Sequence, residues 1–249
     1  MRLSDRQRAM LGEMGIRLWP QAQAPANGLL VVAPDAPAKP VEVKAVVMPQ
    51  PQVTAVAAMD WPALRQAVAD CTACKLCQGR TQTVFGIGHT RAHWMIVGEA
   101  PGEQEDQQGE PFVGKSGQLL DNMLRAIGLT RQEAPPHQQV YIANTLKCRP
   151  PGNRNPQPDE LAQCEPFLIR QVELVRPRII LAMGRFAVQS LLRSGDPIGK
   201  LRGKVHHFQG VPLIVTYHPA YLLRSLEEKA RAWDDLCLAV ETVKACTPR

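Results

Sequence analysis

Cysteine residues at metal-ligand spacing are the feature of this sequence that points most directly to chemistry. Cys71 and Cys74 are separated by two residues, and Cys148 and Cys164 by fifteen. Thiolates in such an arrangement hold zinc or an iron–sulfur cluster. Cys77 adds a third member to the first group, so five cysteines are available for four ligand positions. The cysteines therefore predict a metal or iron–sulfur site and fit either kind.

A glycine-rich, acidic segment between the two cysteine groups suggests a ligand pocket. Glycines at positions 98, 102, 109, 114 and 117 permit positive φ and a close approach of the backbone to a ligand. Residues 109–117 also match the pattern of a phosphate-binding loop. Such a loop directly follows a buried strand, whereas residues 103–108 are acidic and polar, so we do not favour a nucleotide site.

Two polar residues come directly after predicted strands. The amide of Asn144 can donate and accept hydrogen bonds at once, as is needed to bind the edge of a base. The imidazole of His218, followed by Pro219, can stabilise a negative charge that develops in a reaction. Taken alone, each of these two residues could equally be a structural cap. A functional role for either one therefore depends on the other motifs.

Composition limits the class of protein. The chain has 249 residues, a hydrophobic content of 45% and a net charge of +6, with a pI of about 9.1. A basic chain of this kind is suited to nucleic acid, although the charge alone could serve solubility. No apolar run resembles a signal core or a membrane span, so we expect a cytoplasmic protein whose cysteines do not form a disulfide framework.

Alternating strands and helices are predicted after about residue 61. The predicted strands are Trp94–Gly98, Val140–Asn144, Ile179–Met183 and Leu213–Thr216. The predicted helices are Ala63–Asp70, Gly117–Ile127, Pro158–Val175, Arg185–Leu192 and Arg231–Ala245. This alternation predicts an α/β fold with a mostly parallel sheet. Ligands bind such sheets at the carboxyl ends of the strands, where the loops begin at positions 98, 144, 184 and 218.

The first 58 residues differ in composition from the rest. Residues 1–19 predict a short amphipathic segment, and residues 20–58 a linker whose seven prolines exclude a continuous helix. We expect the folded domain to comprise residues 59–249.

Taken together, the motifs resemble the family 4 uracil-DNA glycosylases, the iron–sulfur branch of that superfamily. The resemblance covers residues 61–245 and includes several motifs in the family's order. The matching segments are 71–74, 79–80, 84–88, 98–102, 111–114, 144–151 and 218–223, together with Cys164. Any one of them is weak evidence, whereas their common order is specific.

The resemblance implies a three-layer fold with a central four-stranded, mostly parallel sheet between helices, and a bound [4Fe-4S] cluster. The family's pattern assigns the cluster to Cys71, Cys74, Cys148 and Cys164, and leaves Cys77 out. The family's cluster is regarded as structural.

The resemblance also implies an activity: the protein flips uracil out of DNA and hydrolyses its N-glycosidic bond, leaving an abasic site. Phe112 is expected to stack on the flipped base, and Asn144 to bind its pyrimidine edge. The backbone of Gly98–Ala100 is expected to contact the base, with Glu99 beside it. His218 is expected to face the O2 atom, where charge grows as the bond breaks.

Better-known uracil glycosylases carry an aspartate where this chain has Ala100. We therefore expect a dissociative cleavage without a strong general base. Glu99, Glu105 and Asp106 are the candidates for positioning water.

The DNA itself should be held by two segments. Tyr221, Leu222 and Leu223 are expected to fill or prop the gap in the base stack, with Arg224 on a phosphate. The basic, proline-rich segment 149–156 offers Arg149 and Arg154 as further phosphate contacts.

Residues 7–19 are similar to the N-terminal segment of the psi subunit of the replicative polymerase, which docks on the chi subunit. This similarity rests on Leu11, residues 14–16 and Trp19, and implies chi as a partner of an otherwise monomeric enzyme. Packing of this segment on its own domain is the alternative. For the whole chain, the alternatives are a non-catalytic iron–sulfur DNA-binding or replication-accessory protein and a zinc-bound nucleic-acid binder.

Overall fold

The computed structural model of the protein describes residues 55–245. The predictions for the docking segment and for most of the linker lie outside this range. Residues 55–57 are helical, and Val56 is buried against a cluster that includes Leu64, Val68 and Phe167. The folded part therefore begins before the predicted boundary at Met59, because an apolar residue of the predicted linker belongs to a core.

Six strands and eight α-helices make up the described part of the chain. The strands are β1 (Ile87–Gly88), β2 (Trp94–Gly98), β3 (Tyr141–Asn144), β4 (Ile179–Met183), β5 (Val205–Phe208) and β6 (Val211–Thr216). The helices are α1 (Trp61–Ala69), α2 (Glu103–Gln108), α3 (Lys115–Ala126), α4 (Pro158–Val175), α5 (Arg185–Leu192), α6 (Ile198–Leu201), α7 (Pro219–Leu222) and α8 (Lys229–Ala245). Short 3-10 helices cover Lys75–Gln78, Pro151–Asn153 and Leu226–Glu228.

The strands form one mixed sheet in the order β1-β3-β2-β4-β6-β5. The four central strands are parallel, as predicted, and each edge strand is antiparallel to its neighbour. Because β2, β3, β4 and β6 run the same way, the loops that follow them emerge at one edge of the sheet.

Helices cover both faces of the sheet, which confirms the three-layer α/β fold. Apolar residues of α4 and α5 pack on one face, against side chains such as Met95 and Ile180. Apolar residues of α3 and α8 pack on the other face, against side chains such as Ile96 and Leu181. Neighbouring strand residues thus point to opposite cores, which explains why the central strands are apolar throughout.

Local capping chemistry sets where two of the helices begin. The Asp60 side chain accepts a hydrogen bond from the Ala63 amide at 3.0 Å, so α1 begins at Trp61. Glu160 accepts from the Gln157 amide at 2.9 Å, and Pro158 occupies the first turn of α4.

The two edge strands and the short helices α2, α6 and α7 were not predicted. β5 joins β6 through Gln209 and Gly210, which have φ values of 49° and 79°. Positive φ at both positions is the geometry of a tight hairpin turn, but glutamine is an unusual first residue there. Among residues 55–245, no helix is both long and apolar enough to cross a membrane.

Candidate active site and cysteine cluster

A cavity of about 1010 Å³ opens at the carboxyl ends of the parallel strands. Its lining includes five of the residues predicted to bind or face the base, which come from four different segments of the chain: Glu99, Ala100, Phe112, Asn144 and His218. Their meeting point is the one expected from strand direction in a parallel sheet.

Asn144 ends β3 and is almost fully buried, with 2% of its surface exposed. Its Oδ1 atom has no hydrogen-bond partner among the described residues, although buried polar atoms are nearly always paired. A Cβ atom at Gly98 would lie 2.4 Å from this oxygen and 2.6 Å from the Phe112 ring. Glycine is therefore required at position 98, and the unpaired acceptor points to a ligand that donates a hydrogen bond.

The loops after β2 and β3 are tied together by backbone hydrogen bonds. The Thr145 amide donates to the Gly98 carbonyl, and the Leu146 amide to the Glu99 carbonyl, both at 3.0 Å. The Thr145 hydroxyl also donates to the Glu99 carbonyl, at 2.5 Å. The positions of Gly98, Glu99 and Asn144 are consequently fixed relative to one another before any ligand binds.

His218 follows β6 and caps α7. Its Nδ1 atom accepts a hydrogen bond from the Ala220 amide at 3.2 Å, so a neutral imidazole carries its proton on Nε2. Burial lowers the pKa of His218 to about 4; the Glu105 carboxylate opposes this shift and Arg224 adds to it. The ring is therefore neutral at physiological pH and offers an N–H donor.

Phe112 is held in a constrained conformation beside His218. Its φ is 57°, in the left-handed region, and its ring stacks on the imidazole with centroids 5.3 Å apart. A Cβ atom at Gly117 would lie 1.7 Å from the Phe112 carbonyl oxygen, so α3 can approach this residue only through glycine. Only 4% of Phe112 is exposed, and stacking on a flipped base stays a prediction.

The three carboxylates proposed to position water have different roles in the structure. Both oxygens of Asp106 accept from the Thr81 amide, at 3.0 and 2.9 Å, and Asp106 does not line the cavity. Glu105 accepts from the amides of Gly102 at 3.1 Å and Val113 at 3.0 Å, so it fixes the walls of the pocket. We therefore withdraw Asp106 as a candidate, because its carboxylate is already satisfied by the backbone.

Glu99 is the carboxylate best placed for chemistry. It lines the cavity, and its main chain is fixed by the hydrogen bonds from β3. Burial raises the pKa of Glu99 to about 7. This acid therefore changes charge near neutral pH.

The segment 221–223, which is predicted to fill the gap in the base stack, contains both exposed and buried side chains. Tyr221 and Leu223 are 39% and 41% exposed, whereas Leu222 is only 1% exposed and packs under the loop. Leu222 is thus placed to support the loop, and cannot reach a base stack without leaving the core. Tyr221 and Arg224 line the cavity, at its DNA-facing side in our interpretation.

Two of the predicted phosphate-binding arginines make contacts within the protein. Arg154 forms a two-pronged ion pair with the buried carboxylate of Glu160, at the start of α4. Arg149 donates to the Asn153 side chain at 2.8 Å. These contacts order the loop between β3 and α4, and they compete with any contact to phosphate.

Several residues lining the cavity were not singled out in the sequence. They are Gly184 and Arg185 after β4, the segment 197–199, and Tyr217. Gly184 has a φ of 89°, and a Cβ atom there would lie 3.0 Å from the His218 Cβ. The sequence analysis placed a ligand-binding loop at position 184 from strand direction, but it assigned no role to Gly184 or Arg185.

The predicted cysteine ligands come together beside the loop after β3 and helix α4. Cys148 and Cys164 are buried in one cluster with Leu76 and Leu146, and Cys74 packs against it. The Cys148 thiol interacts electrostatically with Cys71 and Cys77, so the fifth cysteine is also nearby. Among the described residues, no three metal-binding side chains converge tightly enough to hold an ion as they stand.

The surroundings of the thiols nevertheless suit an anionic metal–thiolate centre. Burial raises the pKa of Cys164 to about 12, and it also raises the pKa values of Cys74 and Cys148. Arg80 donates to the Cys148 sulfur at 3.1 Å and to the Cys71 carbonyl at 2.9 Å. The charge of the half-buried Arg80 stabilises the Cys148 sulfur most strongly when the thiol is ionised, and a bound metal would ensure that ionisation.

Comparison with known proteins shows the family of the chain. The profile of the Uracil DNA glycosylase superfamily matches residues 85–237. The chain is 43% identical over 164 residues to a type-4 uracil-DNA glycosylase of Archaeoglobus fulgidus, which covers 63% of this chain and 79% of that protein. It is 42% identical to the type-4 uracil-DNA glycosylase of Thermotoga maritima, and the match covers 67% of this chain and 84% of that protein. It is 38% identical to the type-4 uracil-DNA glycosylase of Pyrobaculum aerophilum, and the match covers 72% of this chain and 93% of that protein. The chain therefore belongs to the uracil DNA glycosylase superfamily.

Proposed function

We propose that the protein removes uracil from DNA by hydrolysing the N-glycosidic bond, leaving an abasic site. The observation that carries this proposal is the buried, unpaired Oδ1 of Asn144, which faces a cavity lined also by Phe112 and His218. Uracil has an N3–H donor that would satisfy this oxygen, whereas cytosine has a bare N3 acceptor. The names of the relatives support the same substrate.

Base recognition would use both ends of the Asn144 amide. Its oxygen would accept from N3–H, and its nitrogen would donate to O4. Access requires extrusion of the nucleotide, which costs a few kcal/mol and is easier at a mismatch or in a single strand. Phe112 would supply the aromatic surface against which the base lies.

Bond cleavage would depend on electrostatic stabilisation of the leaving uracil. The neutral His218 ring can donate its Nε2–H to O2, where negative charge accumulates as the bond breaks. A neutral donor, fixed by the Ala220 amide and by burial, needs no rearrangement during the reaction. Because Ala100 supplies no carboxylate, Glu99 is the acid left to orient water and to stabilise the sugar cation.

The raised pKa of Glu99 leads to a pH prediction. If the carboxylate form is the active one, the excision rate should rise with pH, because a group with a pKa of about 7 is about one-tenth ionised at pH 6 and about nine-tenths at pH 8. We expect an increase of about tenfold in single-turnover rate over this range. Glu99→Gln should give a slow, nearly flat profile, and an unchanged profile in that variant would contradict the role of Glu99.

DNA would be held by the exposed parts of the same edge. Leu223, with Tyr221 beside it, is the side chain best exposed to fill the gap left by the flipped base. Arg224 lines the cavity and is the strongest candidate for a phosphate contact. We assign Leu222, Arg149 and Arg154 to ordering these loops.

We also propose that Cys71, Cys74, Cys148 and Cys164 hold a [4Fe-4S] cluster. The clustering of the thiols and the contact of Arg80 with Cys148 support this set. When bound, the cluster would supply a covalent crosslink between the segment after α1 and the loop between β3 and α4. It would thereby hold in place the loop that begins at Asn144.

The proposed activity is tested by incubating the protein with oligonucleotides that contain one uracil, opposite guanine or in a single strand. We expect free uracil to appear while the backbone stays intact until alkali treatment. Matched oligonucleotides with cytosine or thymine should release no base. A protein with an intact cluster that binds these oligonucleotides but releases no uracil would instead be the non-catalytic DNA-binding alternative.

We further propose that residues 1–19, which lie outside the described range, dock on the polymerase chi subunit. Apolar helices bind grooves through a few large anchors, and Trp19 would be the principal one. Trp19→Ala should weaken capture by purified chi on the order of tenfold or more, with uracil excision unchanged. Trp233→Ala is the matched control, because this tryptophan is 46% exposed on α8. Equal capture of the natural protein, Trp19→Ala and Trp233→Ala by chi would contradict the docking role.

A further inference from the structure

Lys147 is a buried lysine between the proposed base-binding residue and the cysteine cluster. Only 1% of it is exposed. Its Nζ atom donates to the Asn144 carbonyl at 2.8 Å and to the Gln171 Oε1 atom at 2.6 Å. Gln171, on α4, in turn donates to the Phe85 carbonyl at 2.8 Å and to the Tyr141 hydroxyl at 3.1 Å.

None of these partners carries a negative charge. Among the described residues, Lys147 forms no ion pair with a carboxylate, whereas its chain neighbours Leu146 and Cys148 are buried in one cluster with Cys164. A buried ammonium ion is costly unless an anion compensates it. The thiolates of the proposed cluster would be that anion.

The position of Lys147 also excludes direct chemistry. The side chain does not line the cavity, so its amine cannot reach the sugar of a bound nucleotide. Its contact with the site is instead through the backbone of Asn144, whose amide must point at the base.

We propose that Lys147 is a positioning residue that couples the cysteine centre to base recognition; this rests on the proposed function. The thiolate charge of Cys148 and Cys164 offsets the charge of the buried ammonium group, and the ammonium group fixes the Asn144 carbonyl through its hydrogen bond. The cluster thus keeps the Asn144 side-chain amide oriented toward uracil without taking part in the reaction.

The test compares Lys147→Met, which removes the charge at similar volume, with Lys147→Arg, which keeps it. Lys75→Met is the control, since Lys75 is exposed beside Cys74 and makes no contact with Asn144. Visible absorbance, the reduction potential of the bound cluster, and kcat and KM for uracil release are measured on full-length protein.

We expect Lys147→Met to lower kcat by about tenfold or more, with a smaller change in KM, because the Asn144 side-chain amide is no longer held in its orientation toward the base. The cluster should become harder to reduce, because a nearby positive charge is gone. Lys75→Met should leave kcat unchanged and should shift the potential less than Lys147→Met does, because water screens its exposed charge. Lys147→Arg should keep the potential close to that of the natural protein.

An unchanged kcat and an unchanged potential in cluster-loaded Lys147→Met would overturn the proposal. Equal loss of the cluster from the methionine and arginine variants would also overturn it, because packing would then explain the lysine. Loss from the methionine variant alone supports charge compensation. Absence of uracil release by the natural protein would refute the proposed function separately, since the potential is measured without substrate.

Discussion

Replacing Asn144 with aspartate is expected to lower uracil excision on the order of 10²-fold or more. The substitution keeps the shape of the side chain but removes the N–H donor to O4 and puts a carboxylate oxygen near that carbonyl. Asn144 is buried at the edge of the cavity, so little water can screen the repulsion. Single-turnover release of uracil from a U·G duplex is the measurement.

Asn122→Asp provides the matched control, because Asn122 is exposed on α3 and lies away from the cavity lining. It should excise uracil at the normal rate. The Asn144 variant should also be assayed on cytosine, whose N4 amine could donate to the new carboxylate. A normal rate of uracil release by Asn144→Asp would contradict the role of Asn144 in base recognition and would leave its unpaired oxygen unexplained.

Cys148→Ala is expected to abolish the visible absorbance of the purified protein and to lower its thermal stability by several degrees or more. Cys148 is buried and central, since it contacts Arg80 and lies in one cluster with Cys164. Its loss would release the crosslink and leave the Arg80 guanidinium without its partner. Absorbance spectra, iron content and thermal unfolding curves measure these effects.

Cys77→Ala should retain the absorbance, the iron and the unfolding temperature. This comparison matters because Cys77 lies close enough to Cys148 to interact with it electrostatically, yet it is not one of the four proposed ligands. A colourless Cys77→Ala protein together with a brown Cys71→Ala protein would reverse the assignment of these two residues.

Much of the fold follows from the sequence because the central strands are apolar without interruption. Trp94–Gly98 and Ile179–Met183 are buried on both faces of the sheet, so their bounds are predicted correctly. Strand β5 has alternating exposure at an edge, and β1 has two residues. Such short or half-exposed strands depend on their neighbours for pairing, and their own residues carry little signal.

The site was predictable where one residue type has a specific use, as with Asn144 and His218 at strand ends. It was not predictable where the outcome depends on which partner a side chain finds. Asp106 accepts from a distant backbone amide, and Arg154 pairs with Glu160. Leu222 is buried by the turn of α7, which the run of apolar residues at 221–223 does not reveal.

The carboxylate of Glu105 bridges the loop at Gly102 and the loop at Val113, on two sides of the pocket. The conformational entropy of these loops is therefore lost during folding and not when the base arrives. A pocket built in advance does not distinguish a base still attached to DNA from one already released. Free uracil should consequently compete with substrate, which makes product inhibition a direct consequence of this single side chain's hydrogen bonds.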